Sequence, residues 1–310
     1  MKTITVLVPT YNEEKNIEAI YKRIEAVFKK SLTNYECNIL FVDNCSTDSS
    51  QQLIRTLCSQ HKNVKAIFNA KNFGFVRSQF NGLRNAEGDA VVMIYADMQD
   101  PPEIIPEFVT EWEKGAKVVC GIKKQSRENP LMFLCRRIYY KFIKKIAEIN
   151  HIDQFDGFGL YDKSFIQILK NMDDNLPYLR GIVAEFGADR REVLYKQDIR
   201  KGGKSSFHFL SLYDFAMLGI TSYSKVIMHI CTIFGAIASF FSIVVAIWTF
   251  VRKLMNWDVF SVGQAATQIG VFFLGSLQLF FIGFIGEYIV NINIRTMHHP
   301  IVVEKERINF

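Results

Sequence analysis

The residues that could do chemistry sit in four short polar stretches. They are Pro9-Thr-Tyr-Asn-Glu-Glu14, Asp43-Asn-Cys-Ser-Thr-Asp48, Asn69–Gly74 and Asp97-Met-Gln-Asp-Pro-Pro-Glu103, and each follows a short apolar run. Carboxylates and amides dominate them: Glu13, Asp43, Asp48, Asp97, Gln99 and Asp100. Hard oxygen donors of this kind suit Mg²⁺ or Mn²⁺ and not zinc. A hard cation beside acidic loops is a common means of holding a nucleotide diphosphate. Taken singly, each acid reads equally well as a helix cap or a solvated loop residue; it is their joint placement that points to a site. No GxGxxG follows the first apolar run and no GxxxxGK[ST] occurs anywhere, so dinucleotide and P-loop NTPase chemistry are unsupported. Gly202-Gly203-Lys204-Ser205 imitates only the end of a P-loop. The six cysteines form no CxxC pair and read as reduced, buried thiols.

The elements that must position these loops alternate along the first 125 residues. Strand patterns at Thr3–Val8, Asn38–Val42, Val64–Phe68, Ala90–Tyr95 and Lys117–Ile122 alternate with helical patterns at Glu14–Lys30, Asp48–Gln60, Phe75–Asn85 and Pro102–Lys114. Strands that are apolar throughout and separated by helices indicate an α/β fold, with a mostly parallel sheet covered on both faces. Ligands of such sheets bind beyond the C-terminal strand ends, where the four polar stretches lie.

Charge divides the chain further. Residues 1–120 carry 14 Lys and Arg against 15 Asp and Glu, residues 121–204 carry 17 against 11, and residues 205–310 carry 6 against 5. The near-neutral first third argues against a nucleic-acid binder. The hydrophobic content argues against disorder. Residues 226–251 contain no Asp, Glu, Lys or Arg, and an uncharged run from Gln268 continues into a stretch ending near residue 290. Each is long enough to cross a bilayer, at ~20 residues per span. A short connection makes them a two-helix transmembrane hairpin. The basic middle segment and tail place residues 1–225 and 292–310 in the cytoplasm, and no signal peptide is read at the N-terminus. Residues 131–149 form a basic amphipathic helix and residues 205–225 an aromatic-rich interfacial one, both fit to lie on a membrane surface. The tail Ile301–Asn309 begins as a β-branched run. It could pair with a neighbouring subunit's sheet, with a strand of its own domain, or stay free.

The motifs VPTYNEEKNI (Val8–Ile17), VDNCSTDSS (Val42–Ser50), NFGFVRSQFNGLRNAEGDAVVMIYADMQDPPE (Asn72–Glu103) and FDGFGLYDK (Phe155–Lys163) resemble the family 2 inverting glycosyltransferases. The similarity is to the polyprenyl-phosphate type, the dolichol-phosphate mannose synthases and bactoprenol-phosphate glucosyltransferases. It continues through LRGIVAEFG (Leu179–Gly187), R-x-x-G-x-S (Arg200–Ser205) and FIGEYI in the last apolar run. The resemblance implies a Rossmann-like GT-A catalytic domain over residues 1–204, with spans at about 226–251 and 268–290. Pro9, Tyr11, Glu13, Asp43, Asn72 and Asp97 would bind the nucleotide-sugar, and Asp97 with Gln99 would hold Mg²⁺ or Mn²⁺. Arg127, Arg136, Arg137, Arg200, Lys204 and Ser205 would meet the acceptor phosphate. The catalytic residues would be Asp97, Arg200 and Asp100, the last as a base or as the shaper of a Pro-Pro turn.

Three departures stand out. The family's D-x-D reads Tyr95-Ala96-Asp97, its D-D reads Asp43-Asn44, and its S-K-[FY] reads Ser205-Ser206-Phe207. The implied reaction moves a sugar from a UDP-sugar to a polyprenyl phosphate at the bacterial inner membrane, for cell-envelope or O-antigen glycosylation. The implied partners are that donor, that acceptor and membrane lipids, with no nucleic acid; self-association and a flippase partner stay open. Two other readings also stay open: a non-catalytic membrane assembly partner, and transfer to a lipid-linked sugar hydroxyl.

Overall fold

The computed structural model describes residues 1–124, 152–175, 177–197, 264–297 and 299–310, with isolated positions between 217 and 255. The basic helix expected at 131–149 and the interfacial helix at 205–225 therefore lie outside the described residues, apart from Met217. So does the first expected span, apart from single positions.

The alternating pattern forms as the sequence indicates. In chain order come β1 (Lys2–Thr10), α1 (Ile17–Ser31), β2 (Tyr35–Asp43), α2 (Ser50–Gln60), β3 (Val64–Asn69), α3 (Phe75–Asn85) and β4 (Ala90–Met93). A short 3₁₀ turn then leads into α4 (Ile105–Glu113) and β5 (Val118–Lys123). Next are β6 (Gly159–Asp162), α5 (Lys163–Asn171), α6 (Leu179–Phe186), β7 (Arg190–Tyr195), α7 (Gln264–Thr296) and β8 (Glu304–Ile308). The eight strands form one sheet in the order β7-β5-β6-β4-β1-β2-β3-β8. β1 pairs in parallel with β2 and β4, β2 with β3, and β5 with β7. β6 runs antiparallel between β4 and β5, and β8 runs antiparallel along β3.

Both faces of the sheet are covered, which is why the central strands carry apolar side chains at nearly every position. Ile4, Val6 and Val8 of β1 point to one layer with Ile17, Ile20 and Ile24 of α1 and Ile54 of α2. Leu7, Leu40 and Val42 point to the other, with Phe80 and Leu83 of α3 and Ile182 and Val183 of α6. The interior thiols conform to the buried reading: burial pushes Cys37 and Cys120 up to about 12 and Cys58 up to about 11.

β6 and β7 were not anticipated. β6 has only four residues, too few for a periodic signal. β7 reads Arg-Arg-Glu-Val-Leu-Tyr and buries only Val193 and Tyr195. The tail takes one of its three open options, a strand of its own sheet. Ile301 and Val302 are buried, Ala70 N donates to Val303 O at 2.9 Å, and β8 covers the edge of β3. Asn309 Nδ2 donates to the carbonyls of Cys58 (2.8 Å) and Val64 (2.7 Å), and Arg55 pairs with Glu306 at 2.5 Å.

α7 has 33 residues and is ~50 Å long at ~1.5 Å per residue. Its stretch Leu277–Thr296 is long and apolar enough to cross a membrane, and none of it is buried inside the protein. The second expected span, 268–290, falls within this helix. The C-terminal end of α7 is tied to the sheet domain. Arg295 lies 3.6 Å from Asp174, and Asn175 Nδ2 donates to Met297 O.

The tail strand is held by burial more than by its ion pair. Val302→Asp should lower unfolding stability by ~2–4 kcal/mol, because it buries an unpaired carboxylate. Glu306→Gln should stay within ~0.5 kcal/mol, since its pair with Arg55 is solvent-exposed. Thermal melting of the full chain in detergent checks both.

Candidate active site

Because β1, β2, β3 and β4 run in parallel, the loops after them gather at one edge of the sheet. The first two loops brace each other through backbone donors and side-chain acceptors. Asn12 N donates to Ser46 Oγ (2.9 Å), Glu13 N to Ser50 Oγ (3.0 Å) and Glu14 N to Asp48 Oδ2 (3.2 Å). In return Thr47 N donates to Asn12 Oδ1 (2.8 Å) and Ser49 N to Glu14 Oε2 (3.1 Å). Asn12 and Cys45 adopt positive φ within these turns. Asp48 thus serves as a brace, and its hydrogen bonds outweigh its burial and hold its carboxyl below the usual range.

Pro9 pairs in register with Val42, and Tyr11 follows it half-buried. Glu13 is buried and accepts from Asn16 Nδ2 at 2.6 Å. Asp43 is fully buried at the end of β2. Its Oδ2 accepts from Ser46 N (3.0 Å) and Gln51 Nε2 (2.9 Å), while its Oδ1 makes no hydrogen bond among the described residues. Burial pushes its carboxyl up against the opposing pull of those donors. An acceptor oxygen buried at a strand end without a donor is the feature a ligand N–H would complete.

Asn44 joins the second and third loops. Its Nδ2 donates to Asn72 Oδ1 (2.8 Å), and its Oδ1 accepts from Asn69 Nδ2 and Phe73 N, both at 3.1 Å. Asn72 Oδ1 also accepts from Gly74 N (2.8 Å). The departure from D-D has a local reason: this position must donate as well as accept, which a carboxylate cannot do.

The fourth loop carries Asp97, Gln99 and Asp100. Asp97 is half-buried, and its Oδ1 accepts from Gln99 N at 3.1 Å. Asp100 is 1% exposed and accepts from Tyr195 OH at 2.5 Å. Burial, then the charge of Asp156, push its carboxyl well up, against the pull of Lys123 and Tyr195. Lys123 Nζ lies 2.6 Å from Asp156 Oδ2. Burial lowers that ammonium, but Asp156 and Asp100 outweigh it and the group is raised. Lys123 and Tyr195 are register partners at the ends of parallel β5 and β7, which presents both to the same face. Phe158 packs edge-on against Tyr195 at 5.1 Å.

Sequence reasoning gave no role to Asp156, Lys123 or Tyr195. The signal available was Asp156 within the quoted FDGFGLYDK motif. Lys123 and Tyr195 are separated along the chain and meet only through strand pairing.

Tyr95 occupies the first position of the altered D-x-D. Its OH donates to Asp156 O at 2.8 Å, with Gln79 Oε1 at 3.3 Å. Gly157, at φ +115°, permits this approach: a Cβ there would lie 2.9 Å from the Tyr95 hydroxyl and 2.6 Å from Met93 Cε. Tyr95 is thus a tether on the Asp156 loop, which leaves Asp97 and Gln99 as the oxygen donors of the altered motif. Among the described residues no three His, Cys, Asp or Glu side chains form a metal-holding group. The donors are all oxygen, and the carboxylates of Asp97, Asp100 and Asp156 face two cations, the Lys123 ammonium and the nearby Arg180 guanidinium. This set fits a hard cation that draws most of its shell from substrate and water.

The acceptor-phosphate candidates Arg127, Arg136, Arg137, Arg200, Lys204 and Ser205 lie outside the described residues.

A family model described as glycosyl transferase family 2 matches residues 5–169. The chain is 30% identical over 298 residues to the bactoprenol glucosyl transferase of Shigella phage SfV, covering 96% of each chain. It is 28% identical over 298 residues to the prophage bactoprenol glucosyl transferase homolog of Escherichia coli K12, again covering 96% of each. Among solved structures it is similar to a mannosyltransferase from Pyrobaculum calidifontis in complex with GDP-Man and Mn²⁺. That likeness is 17% identical with a TM-score of 0.49, covering 71% of this chain and 63% of the other.

Two substitutions test the local logic. Asn44→Asp should cost ~1–3 kcal/mol, because it sets a carboxylate oxygen against Asn72 Oδ1. Tyr95→Asp, which restores the acidic pattern, should destabilise and not improve turnover, since it removes the tether on Asp156 and adds charge beside it. Thermal melts and initial rates of both variants provide the readout.

Proposed function

The chain belongs to glycosyl transferase family 2 and is a glycosyltransferase, and from that premise we propose that it moves a sugar from a UDP-sugar to a polyprenyl phosphate. The observation that carries the reading is the likeness to a bactoprenol glucosyl transferase over 298 residues, 96% of the chain, far beyond the 165 residues that the family model matches.

Each part of the edge has a role in this proposal. Asp43 Oδ1 accepts from the donor's base, and Pro9, Tyr11, Glu13 and Asn72 shape the surrounding nucleoside site. Asp97 and Gln99 hold Mg²⁺ or Mn²⁺, which when bound supplies charge stabilisation to the departing diphosphate. Lys123 holds Asp156 in place, and Tyr195 holds Asp100. The attacking oxygen belongs to a phosphate monoester with a second pKa near ~6, so it is largely dianionic at neutral pH and needs little help from a base. Arg200 and Lys204, with Arg127, Arg136 and Arg137, neutralise the acceptor while Ser205 adds a hydrogen bond. Displacement from the far side inverts the anomeric centre, giving a β-linked product from an α-linked donor. Transfer to a sugar hydroxyl would need an accessible base, and the candidate for it, Asp100, is buried and already bonded to Tyr195.

The proposal places the enzyme at the bacterial inner membrane with residues 1–204 cytoplasmic. Support comes from α7 and from the large apolar side chains exposed at Phe234, Phe240, Phe241 and Trp248 within the first uncharged run. The Phe234 ring centroid lies 6.0 Å from that of Phe281 on α7.

Purified protein incubated with UDP-sugars, undecaprenyl phosphate and Mg²⁺ should yield a chloroform-soluble glycolipid, whose mass identifies the sugar. Asp97→Ala should slow its formation at least ~100-fold, on the scale of losing one preorganised charge-stabilising group. An unchanged rate would refute the cation assignment.

A further inference from the structure

Between the β3–α3 turn, beside the donor residue Asn72, and the segment that follows α7 lies a cavity of about 480 Å³. Lys71, Arg77 and His299 line it together with the apolar surfaces of Phe73, Pro300 and Val303, and no carboxylate is among the lining residues. We propose that this cavity binds the phosphate of an anionic phospholipid headgroup. The inference rests on the membrane reading above, and adds to it a site whose lining includes none of the donor residues named there.

Three observations converge on an anionic amphiphile. The first is uncompensated charge. Among the described residues neither Lys71 nor Arg77 has an ion-pair partner; the Lys71 ammonium lies 5.1 Å from the centroid of the Phe73 ring. The second is preorganisation. Arg77 Nε donates to Asn175 O at 3.1 Å, and Asn175 in turn donates through Nδ2 to Met297 O. The guanidinium is thereby fixed to the end of α7, while its two terminal nitrogens make no hydrogen bond to the described residues. A planar fork held in this way suits a phosphate. The third is depth. His299 follows the last residue of α7 by three positions, a reach of at most ~10 Å. A helix that crosses the bilayer and ends at Thr296 therefore sets the cavity at headgroup level, with Phe73, Pro300 and Val303 beside the acyl ester region. The β3–α3 loop gives Asn72 to the donor site, but Asn72 is not among the lining residues and the cavity extends toward the segment before β8, so the nucleotide does not account for its charge.

The test is native mass spectrometry of the full chain released from detergent micelles, titrated with phosphatidylglycerol and, separately, phosphatidylcholine. The wild-type chain should retain phosphatidylglycerol at least about tenfold more strongly than phosphatidylcholine. Lys71→Glu should remove that preference without altering phosphatidylcholine retention. Lys71 is exposed and makes no hydrogen bond, so this variant should melt with the wild type. Arg77→Lys, which keeps the charge and loses the fork, should give an intermediate loss. Equal phosphatidylglycerol retention by wild type and Lys71→Glu overturns the proposal. So does displacement of the lipid by UDP, which would assign the cavity to the donor, or by inorganic phosphate at equal concentration, which would make it a free-anion site. A wild-type chain that stays dispersed in buffer without detergent would instead remove the membrane reading itself.

Discussion

A sheet buried on both faces has one place left for polar chemistry, its edge of strand ends. That constraint governs this molecule. The apolar side chains of β1 to β4 point into two hydrophobic layers, so the acids and amides collect where the strands stop. Once gathered there, their own mutual repulsion and desolvation must be met. The first two loops meet it by exchanging hydrogen bonds, so that Ser46, Ser50, Asp48 and Asn12 serve the scaffold more than the ligand. Asn44 extends the same bracing to a third loop.

The fourth loop solves the problem differently. Asp97, Asp100 and Asp156 approach one another in a region that water barely reaches, and a single ammonium, Lys123, lies among them. Such a cluster is stable only if some carboxyls are neutralised, protonated or bonded. Tyr195 bonds Asp100, Lys123 pairs with Asp156, and Asp97 keeps its half-exposed position. Asp100 and Asp156 are thus bonded within the fold, whereas Asp97 sits half-buried at the start of its loop. Tyr95 belongs with the bonded set, and its phenol contributes through geometry without adding charge.

Much of this was legible in the sequence. The strands and helices of residues 1–124 follow the sequence pattern closely, because the strands are largely apolar runs bounded by polar stretches; even β4, with four residues, lies in the run Ala90–Tyr95. Asp43 and Asn72 were singled out from motif and position, and both lie in the loops at the strand-end edge. What escaped was relational. β6 is too short to carry a pattern, and β7 leaves most of its surface exposed. Lys123 and Tyr195 become neighbours only because β5 and β7 pair in register, a fact no local window contains. The sense of Tyr95 likewise appears only when its hydroxyl is seen to meet the carbonyl of Asp156 across the gap left by Gly157.

The strand contributed by the last residues also bears on how the protein is made. β3 is an edge with unpaired backbone groups until β8 arrives, and β8 leaves the ribosome some 235 residues after its partner. During synthesis the nascent domain would therefore expose an open strand, which is a template for wrong pairing. It closes only after α7 has been made and its far end delivered back to the same side. The fold thus makes completion of the sheet conditional on where α7 delivers its C-terminal end.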